Sequence, residues 1–363
     1  MKKTRIFLLL FFAVIFMNTC KDNATDNPLP DDYKIYYTIV NYKDSRLDIY
    51  KIDPEGTNNV LYDSNSAAYS KPQKSNLAMI TQNDSTGEFH LIVSNLDGTN
   101  KKNIFTTTDG LNHPSISPLG DKILFNERRA YVSFSSNFYL HICNIDGTND
   151  IIIDSTELNT SNWGFEAEFS PDGKSIAYID FSKDKYNFIY LVDIDGKNKR
   201  RINANPIQFK TYFGLNTFDW SSNGKEIALI FEDKILNENI LSVLNISDGA
   251  LTEILRTPNY ISKPVWSPDG KKIAYYKEPC NLWTIDISTI KEIQCTDLPG
   301  NKNEIVFLLP QWSPDGKYIL FEYTKNDENN YMSYGNLSIL EIETGKVTIL
   351  INQEIVKTAF FGW

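Results

Sequence analysis

Histidine is almost missing from this sequence: His90, His113 and His141 are the only three among 363 residues. They are irregularly spaced and none is paired, so neither a multi-histidine metal centre nor any cofactor is expected. Cysteine is nearly as scarce, with four residues, too few for a disulfide-dense scaffold. No Gly-x-Ser-x-Gly elbow is present to support an α/β-hydrolase. There is no His-Glu-x-x-His and no glycine-rich phosphate loop. None of the Asp-Gly stretches fits a twelve-residue calcium loop with its terminal Glu. Positive charge is in deficit, 36 Lys and Arg against 46 Asp and Glu for a net charge of −10. A basic face that could neutralise phosphates is therefore missing, which argues against nucleic acid as a partner. Long apolar runs are missing too. The longest, Ile6 to Met17, would rise only ~18 Å as a helix, short of a hydrocarbon core of ~30 Å.

That short run follows Lys2, Lys3 and Arg5 and precedes the polar stretch "KDNATDNPLPDD", the pattern of a secretory signal. With Cys20 at its end it resembles a bacterial lipoprotein signal. The resemblance implies lipidation of Cys20 and attachment to the outer membrane, on its periplasmic side or at the cell surface. Residues 1–20 are thus expected to be a signal peptide. Residues 21–33, with Pro28 and Pro30 and no apolar periodicity, are expected to form a flexible tether. Residues 34–363 are expected to form a single domain whose membrane contact is the anchor alone.

Aromatic residues are plentiful, with 20 Tyr and 21 Phe, an enrichment that favours strands. The chain also repeats itself. "PVWSPDGKKIAYYK" (Pro264 to Lys277) returns as "PQWSPDGKYILFEY" and "AEFSPDGKSIAYID". Aligning the residue before each turn gives Ser70, Ile116, Phe169, Trp220, Trp266, Trp312 and Trp363, at intervals of 46, 53, 51, 46, 46 and 51 residues. A second repeat interleaves with the first, as in "LHICNIDGTN" and "LWTIDIST". Asp-Gly between apolar alternations marks a tight hairpin. Each unit therefore reads as four strands, a to d, with Ser-Pro-Asp-Gly joining a to b and an Asp-Gly turn joining c to d. Four-stranded units of this length are β-propeller blades. The expectation is an all-β, seven-bladed propeller of antiparallel blades. Strand a of its closing blade comes from Thr358 to Trp363, and three more strands come from about Lys34 to Asp63. Closure removes exposed sheet edges.

"WSPDGKxIAY" followed by "LxxxDxDG" resembles the TolB-type, WD-like propeller repeats of periplasmic proteins. The resemblance covers nearly everything after the tether and implies the fold. A TolB role in envelope complexes does not follow from it, because TolB has six blades and an extra N-terminal domain.

Function is expected on the longer b–c and d–a loops, which leave one face of such a disc. Those segments carry Tyr131, Phe134 and Phe138; Trp163 and Phe165; Phe209, Tyr212 and Phe213; and Tyr331 and Tyr334. Aromatics set among Asn, Ser and Gly suit recognition of a protein, peptide or glycan. The residues one before the aligned position include Glu168, Asp219 and Gln311. With His113 they are candidates for lining the central channel, where they could hold water, a cation or a ligand's polar group. Cys280 and Cys295 fall toward one rim of a blade and are candidates for a disulfide, although register counting sets them a few residues out of opposition. Cys143 lies within a strand. The reading is a non-catalytic envelope lipoprotein, a monomer or a subunit of an envelope complex. The alternatives are a lyase or hydrolase on polysaccharide with its site at the channel mouth, and a structural subunit of an envelope assembly.

Overall fold

The computed structural model describes residues 34–41, 46–64, 66–68, 70–83, 85–130, 135–159, 164–180, 187–205, 207, 217–279, 281–298, 310–326, 333–352 and 357–362. These residues form seven four-stranded antiparallel sheets, each with its strands in the order a-b-c-d. Strand a is Ser66–Ala68 in blade 2, Gly110–Ile116 in blade 3 and Glu166–Phe169 in blade 4. It is Phe218–Trp220 in blade 5, Ile261–Trp266 in blade 6 and Gln311–Trp312 in blade 7. Blade 1 is composite. Lys357–Gly362 pairs antiparallel with Ile35–Asn41, Tyr37 opposite Phe361, and Arg46–Ile52 and Val60–Ser64 complete the sheet.

Ser-Pro-Asp-Gly recurs because each residue closes part of one turn. In blade 6 the Ser267 hydroxyl donates to Asp269 Oδ1 at 2.6 Å and accepts from the Lys272 amide at 2.9 Å. Asp269 Oδ1 also accepts from the Lys271 amide at 3.1 Å. Gly270 supplies φ +68, where a side chain would be strained. Blades 4 and 7 repeat the set, and blade 5 substitutes Asn223 for the aspartate.

Seven apolar clusters lie between the blades, one at each junction, including that of blade 7 with blade 1. The aligned aromatics plug these junctions: Trp220 packs against blade 4, Trp266 against blade 5 and Trp312 against blade 6. A device not visible in the repeat contributes to the same layer. In blades 1, 2, 3, 5 and 7 strand d bulges one residue past its register with strand c, at Tyr62, Ile104, Ile153, Ile254 and Leu350. The extra residue joins the junction cluster in every case, as expected where a bulge re-aims a side chain. The c–d glycine of the next blade then lies against that strand. A Cβ on Gly147 would sit 2.6 Å from the Ile104 carbonyl oxygen; the same close approach recurs in blade 4, whose short strand d has no such bulge, where a Cβ on Gly249 would sit 2.2 Å from the Ile202 carbonyl oxygen.

Candidate binding site

The a–b and c–d turns share one face of the ring, and the strand ends joined by the b–c and d–a connections share the other. Among the described residues, the start of the blade 3 to blade 4 crossover's second half is pinned by a buried asparagine. Asn126 donates to the Phe165 carbonyl at 2.8 Å and accepts the Phe165 amide at 3.2 Å. Gly164, at φ +94, is required there because a Cβ would meet Phe138 Cδ1 at 2.7 Å. Other crossovers are held in the same way. Asn203 accepts from the Ile189 amide, Asn239 donates to the Asn259 carbonyl, and Asn281 accepts from the Leu298 amide. Buried amides of this kind satisfy backbone groups that water cannot reach.

The sequence candidates divide clearly. Phe138 stands within strand c of blade 3, Ser135–Asn144, rather than on the preceding loop. Phe138 and Phe165 are each 1% exposed and pack in the core shared by blades 3 and 4, so their rings hold the crossover and offer no surface. Tyr334 lies in strand Ser333–Glu341, opposite Lys325. Tyr131, Phe134, Trp163, Phe209, Tyr212, Phe213 and Tyr331 lie outside the described residues, as do Cys20 and Cys280. Cys295 is half-buried, its Sγ 3.5 Å from Thr284 Oγ1.

Of the channel candidates, Glu168 and Asp219 interact across the adjoining inner strands of blades 4 and 5, while His113 stands on the inner strand of blade 3 and Gln311 on that of blade 7. The aligned tryptophans face the preceding blade, and Glu166 and Asp219, three and one places before the aligned residue, face the following one. Glu166 of blade 4 accepts hydrogen bonds from the Thr217 amide and, at 2.9 Å, the Thr217 hydroxyl of blade 5. Asp219 of blade 5 accepts from the Trp266 amide of blade 6 at 2.6 Å. Glu168 has no hydrogen-bond partner among the described residues. Burial raises the carboxyls of Glu168 and Asp219 above their ordinary range. The Asp219 charge adds to the rise at Glu168, and Lys71 opposes it at both. Burial pushes Glu166 up to about 7 against the pull of its Thr217 bonds. His113 is pushed down to about 4 by burial alone, so its ring is neutral near pH 7. Gln311 lies half-buried at the start of its blade's inner strand, opposite Leu320.

Sequence reasoning identified the ring one residue before the aromatic and, of the ring three before it, only His113. That second ring contains His113, Glu166 and Lys263. His113 and Lys263 both precede proline, and both adopt left-handed backbone at φ 50 and 59 where the inner strand loses register. Such strained non-glycine positions persist only when their surroundings enforce them. The shared X-Pro dipeptide at one repeat position was the available signal. Among the described residues, no three or more His, Cys, Asp or Glu are grouped to hold a metal ion.

Comparisons with known proteins match this geometry. The TolB beta propeller domain family matches residues 120–333. Dipeptidyl-peptidase 5 of Porphyromonas gingivalis is 26% identical over 153 residues, 38% of this chain and 21% of that protein. The Tol-Pal system protein TolB of Legionella pneumophila strain Corby is 30% identical over 94 residues, 24% of this chain and 21% of that protein. The match thus spans about a fifth of the length of either relative. An oligogalacturonate lyase solved with manganese superimposes with a TM-score of 0.56 at 13% identity, covering 76% of this chain and 79% of that one, a likeness of fold alone. With more than half of its length matched and seven blades built on the same repeat, the chain belongs to the TolB beta propeller domain family.

Proposed function

We propose that this chain is a non-catalytic cell-envelope lipoprotein, lipidated at Cys20, whose propeller binds a protein, peptide or glycan through its b–c and d–a face. One observation carries the reading: the short corners of one face use up their own polar groups, which leaves recognition to the other. On the turn face the polar groups of the Ser-Pro-Asp-Gly corners are consumed by the corners themselves. The aromatic-rich segments read from the sequence are b–c and d–a connections, which a rigid ring would present on the opposite face. Envelope location and a binding role are supported by the partial similarity to TolB, a protein of the Tol-Pal system by its name. Glycan and peptide arrays probed with residues 21–363 test the proposal. At least one ligand class should bind, and Trp163→Ala, Tyr212→Ala and Tyr331→Ala together should weaken it at least tenfold with unchanged melting. Failure to bind any arrayed ligand, or full binding by the triple variant, would overturn it.

A second reading, a polysaccharide lyase or hydrolase working at the channel mouth, is favoured by the interacting carboxyls Glu168 and Asp219 on adjoining inner strands, with a neutral His113 on the inner strand of blade 3. Groups poised in this way are suited to acid–base chemistry. Turnover of a polyuronide by the wild type, abolished by His113→Ala, Glu168→Gln and Asp219→Asn together, would establish it. A wild type without turnover on a panel of polyuronides would exclude it.

A further inference from the structure

We propose that the b–c hairpin of blade 5 is a docking knob for a basic, apolar-faced polypeptide segment of a partner protein. The proposal rests on the loop-face reading above and names the partner chemistry for one part of that face. Residues 234–237 join strand Glu226–Asp233 to strand Glu238–Asn245. At the apex Ile235 is 94% exposed and Leu236 60%, the two most exposed large apolar side chains among the described residues. A single exposed aliphatic residue would mean nothing. Here two adjacent ones are held outward by a braced turn. Asp233 Oδ1 accepts the Ile235 amide at 3.0 Å and the Leu236 amide at 3.2 Å, and Asn237 closes the turn at φ 54. The second oxygen of Asp233 takes Arg256 Nη1 at 3.0 Å. Arg256 also reaches Glu238 Oε2 at 3.3 Å and Glu253 Oε2 at 2.7 Å. The hairpin is paired to its last residues, Asp233 opposite Glu238. The tip is therefore ordered before any partner arrives, which removes an entropic penalty from binding.

Charge complementarity selects the occupant. Around the tip Glu232, Asp233, Glu238 and Glu253 outnumber Lys234 and Arg256, and Arg256 is already turned onto its own carboxylates. A partner surface carrying an excess of Lys or Arg beside an apolar strip would meet both features. Aliphatic side chains offer a sugar no ring face and no hydrogen bond, and they gain only against apolar surface. The acidic collar opposes an anionic membrane.

The probe is a twelve-residue peptide of alternating Leu and Lys, titrated against the full domain, with an alternating Leu and Glu peptide and neutral phosphatidylcholine vesicles in parallel. The expected result is binding of the Leu–Lys peptide, at least tenfold loss in Ile235→Ser with Leu236→Ser, retention in Ile235→Leu with Leu236→Ile, and no binding of the Leu–Glu peptide. The melting temperature of the serine variant reports whether it folds. If it does not, Ile235→Ser alone replaces it, with a loss of at least threefold expected. Absent binding, equal binding by the serine variant, equal binding of the two peptides, or vesicle capture that depends on Ile235 and Leu236 would each overturn the proposal. Array ligands that bind wild type and serine variant alike, with no binding of the Leu–Lys peptide, would preserve the loop-face reading while removing this one.

Discussion

Two glycines in this chain differ in their surroundings, and the difference can be measured. Gly249 sits at φ +72 with the Ile202 carbonyl in the space a Cβ would occupy, whereas Gly87 sits at φ +73 with nothing within 4 Å. Gly87→Ala should cost only the left-handed backbone strain, about 1 kcal/mol. Gly249→Ala adds a clash with backbone of the neighbouring blade and should destabilise by about 3 kcal/mol; chemical denaturation separates the two. Glu168 offers a test of opposite sign. Its carboxyl is raised in the folded protein, so keeping it ionised destabilises the fold progressively as pH rises above the ordinary carboxylate range. Glu168→Gln should leave the melting temperature unchanged near pH 4 and raise it at pH 8; no gain at pH 8 would show that the carboxylate is solvated there. Glu168 was legible in the sequence from its place before the aligned aromatic. Glu166 was missed although it lies two residues before Glu168 in an unbroken strand and so on the same side by simple alternation; only the residue next to the aromatic was aligned.

At the scale of the element, blade 3 contains a largely buried charge network that links its strands b and c to the c–d turn. His141 of strand Ser135–Asn144 stacks on Phe125 at 4.9 Å. Its Nδ1 lies 3.0 Å from Asp150 Oδ1, and its Nε2 lies 3.4 Å from Glu127 Oε2, a charge contact. Burial lowers the imidazole, but the hydrogen bond to Asp150 and the Glu127 contact outweigh it and the net shift is upward. Burial likewise pushes Glu127 up, yet His141, Arg129 and Thr107 together hold it down at about 2. The two shifts set opposite limits. The Glu127 contribution is complete above its ordinary value of 4.5 and fades as pH falls toward 2. The His141 contribution is complete below its ordinary value of 6.5 and fades as pH rises through the raised value. Thermal melts from pH 3 to 9 should show an alkaline decline that flattens in His141→Gln and an acid decline that flattens in Glu127→Gln. Unchanged profiles would mean the network contributes nothing. Strand order and both turn families could be read from the repeats because Ser, Asp and Gly act through local hydrogen bonds. The strand d bulges and the Asn126, Asn203, Asn239 and Asn281 pins could not. Each depends on a partner a blade or a crossover away, and single asparagines or isoleucines look alike in and out of such contacts.

For the whole molecule, the governing fact is that no blade is self-sufficient. Each apolar cluster draws its residues from two sheets, and the cluster between blades 7 and 1 unites Leu320, Leu337 and Ile339 with Ile35, Tyr37 and Ile52. That junction is held in turn by the C-terminal strand Lys357–Gly362 pairing with Ile35–Asn41. The blade count and the composite closure were legible because both are written as periodicity and as unmatched strands at the two ends. The ligand was not, because recognition rests on segments that follow no repeat. The most direct measurement is removal of residues 357–363 followed by thermal unfolding of the truncated chain. Loss of one sheet's inner strand should unfasten the ring and lower the melting temperature by more than about 10 °C, as loss of several kcal/mol requires in a domain of this size. A truncated chain that melts at the wild-type temperature, with the same cooperativity, would contradict the closed ring and everything positioned by it.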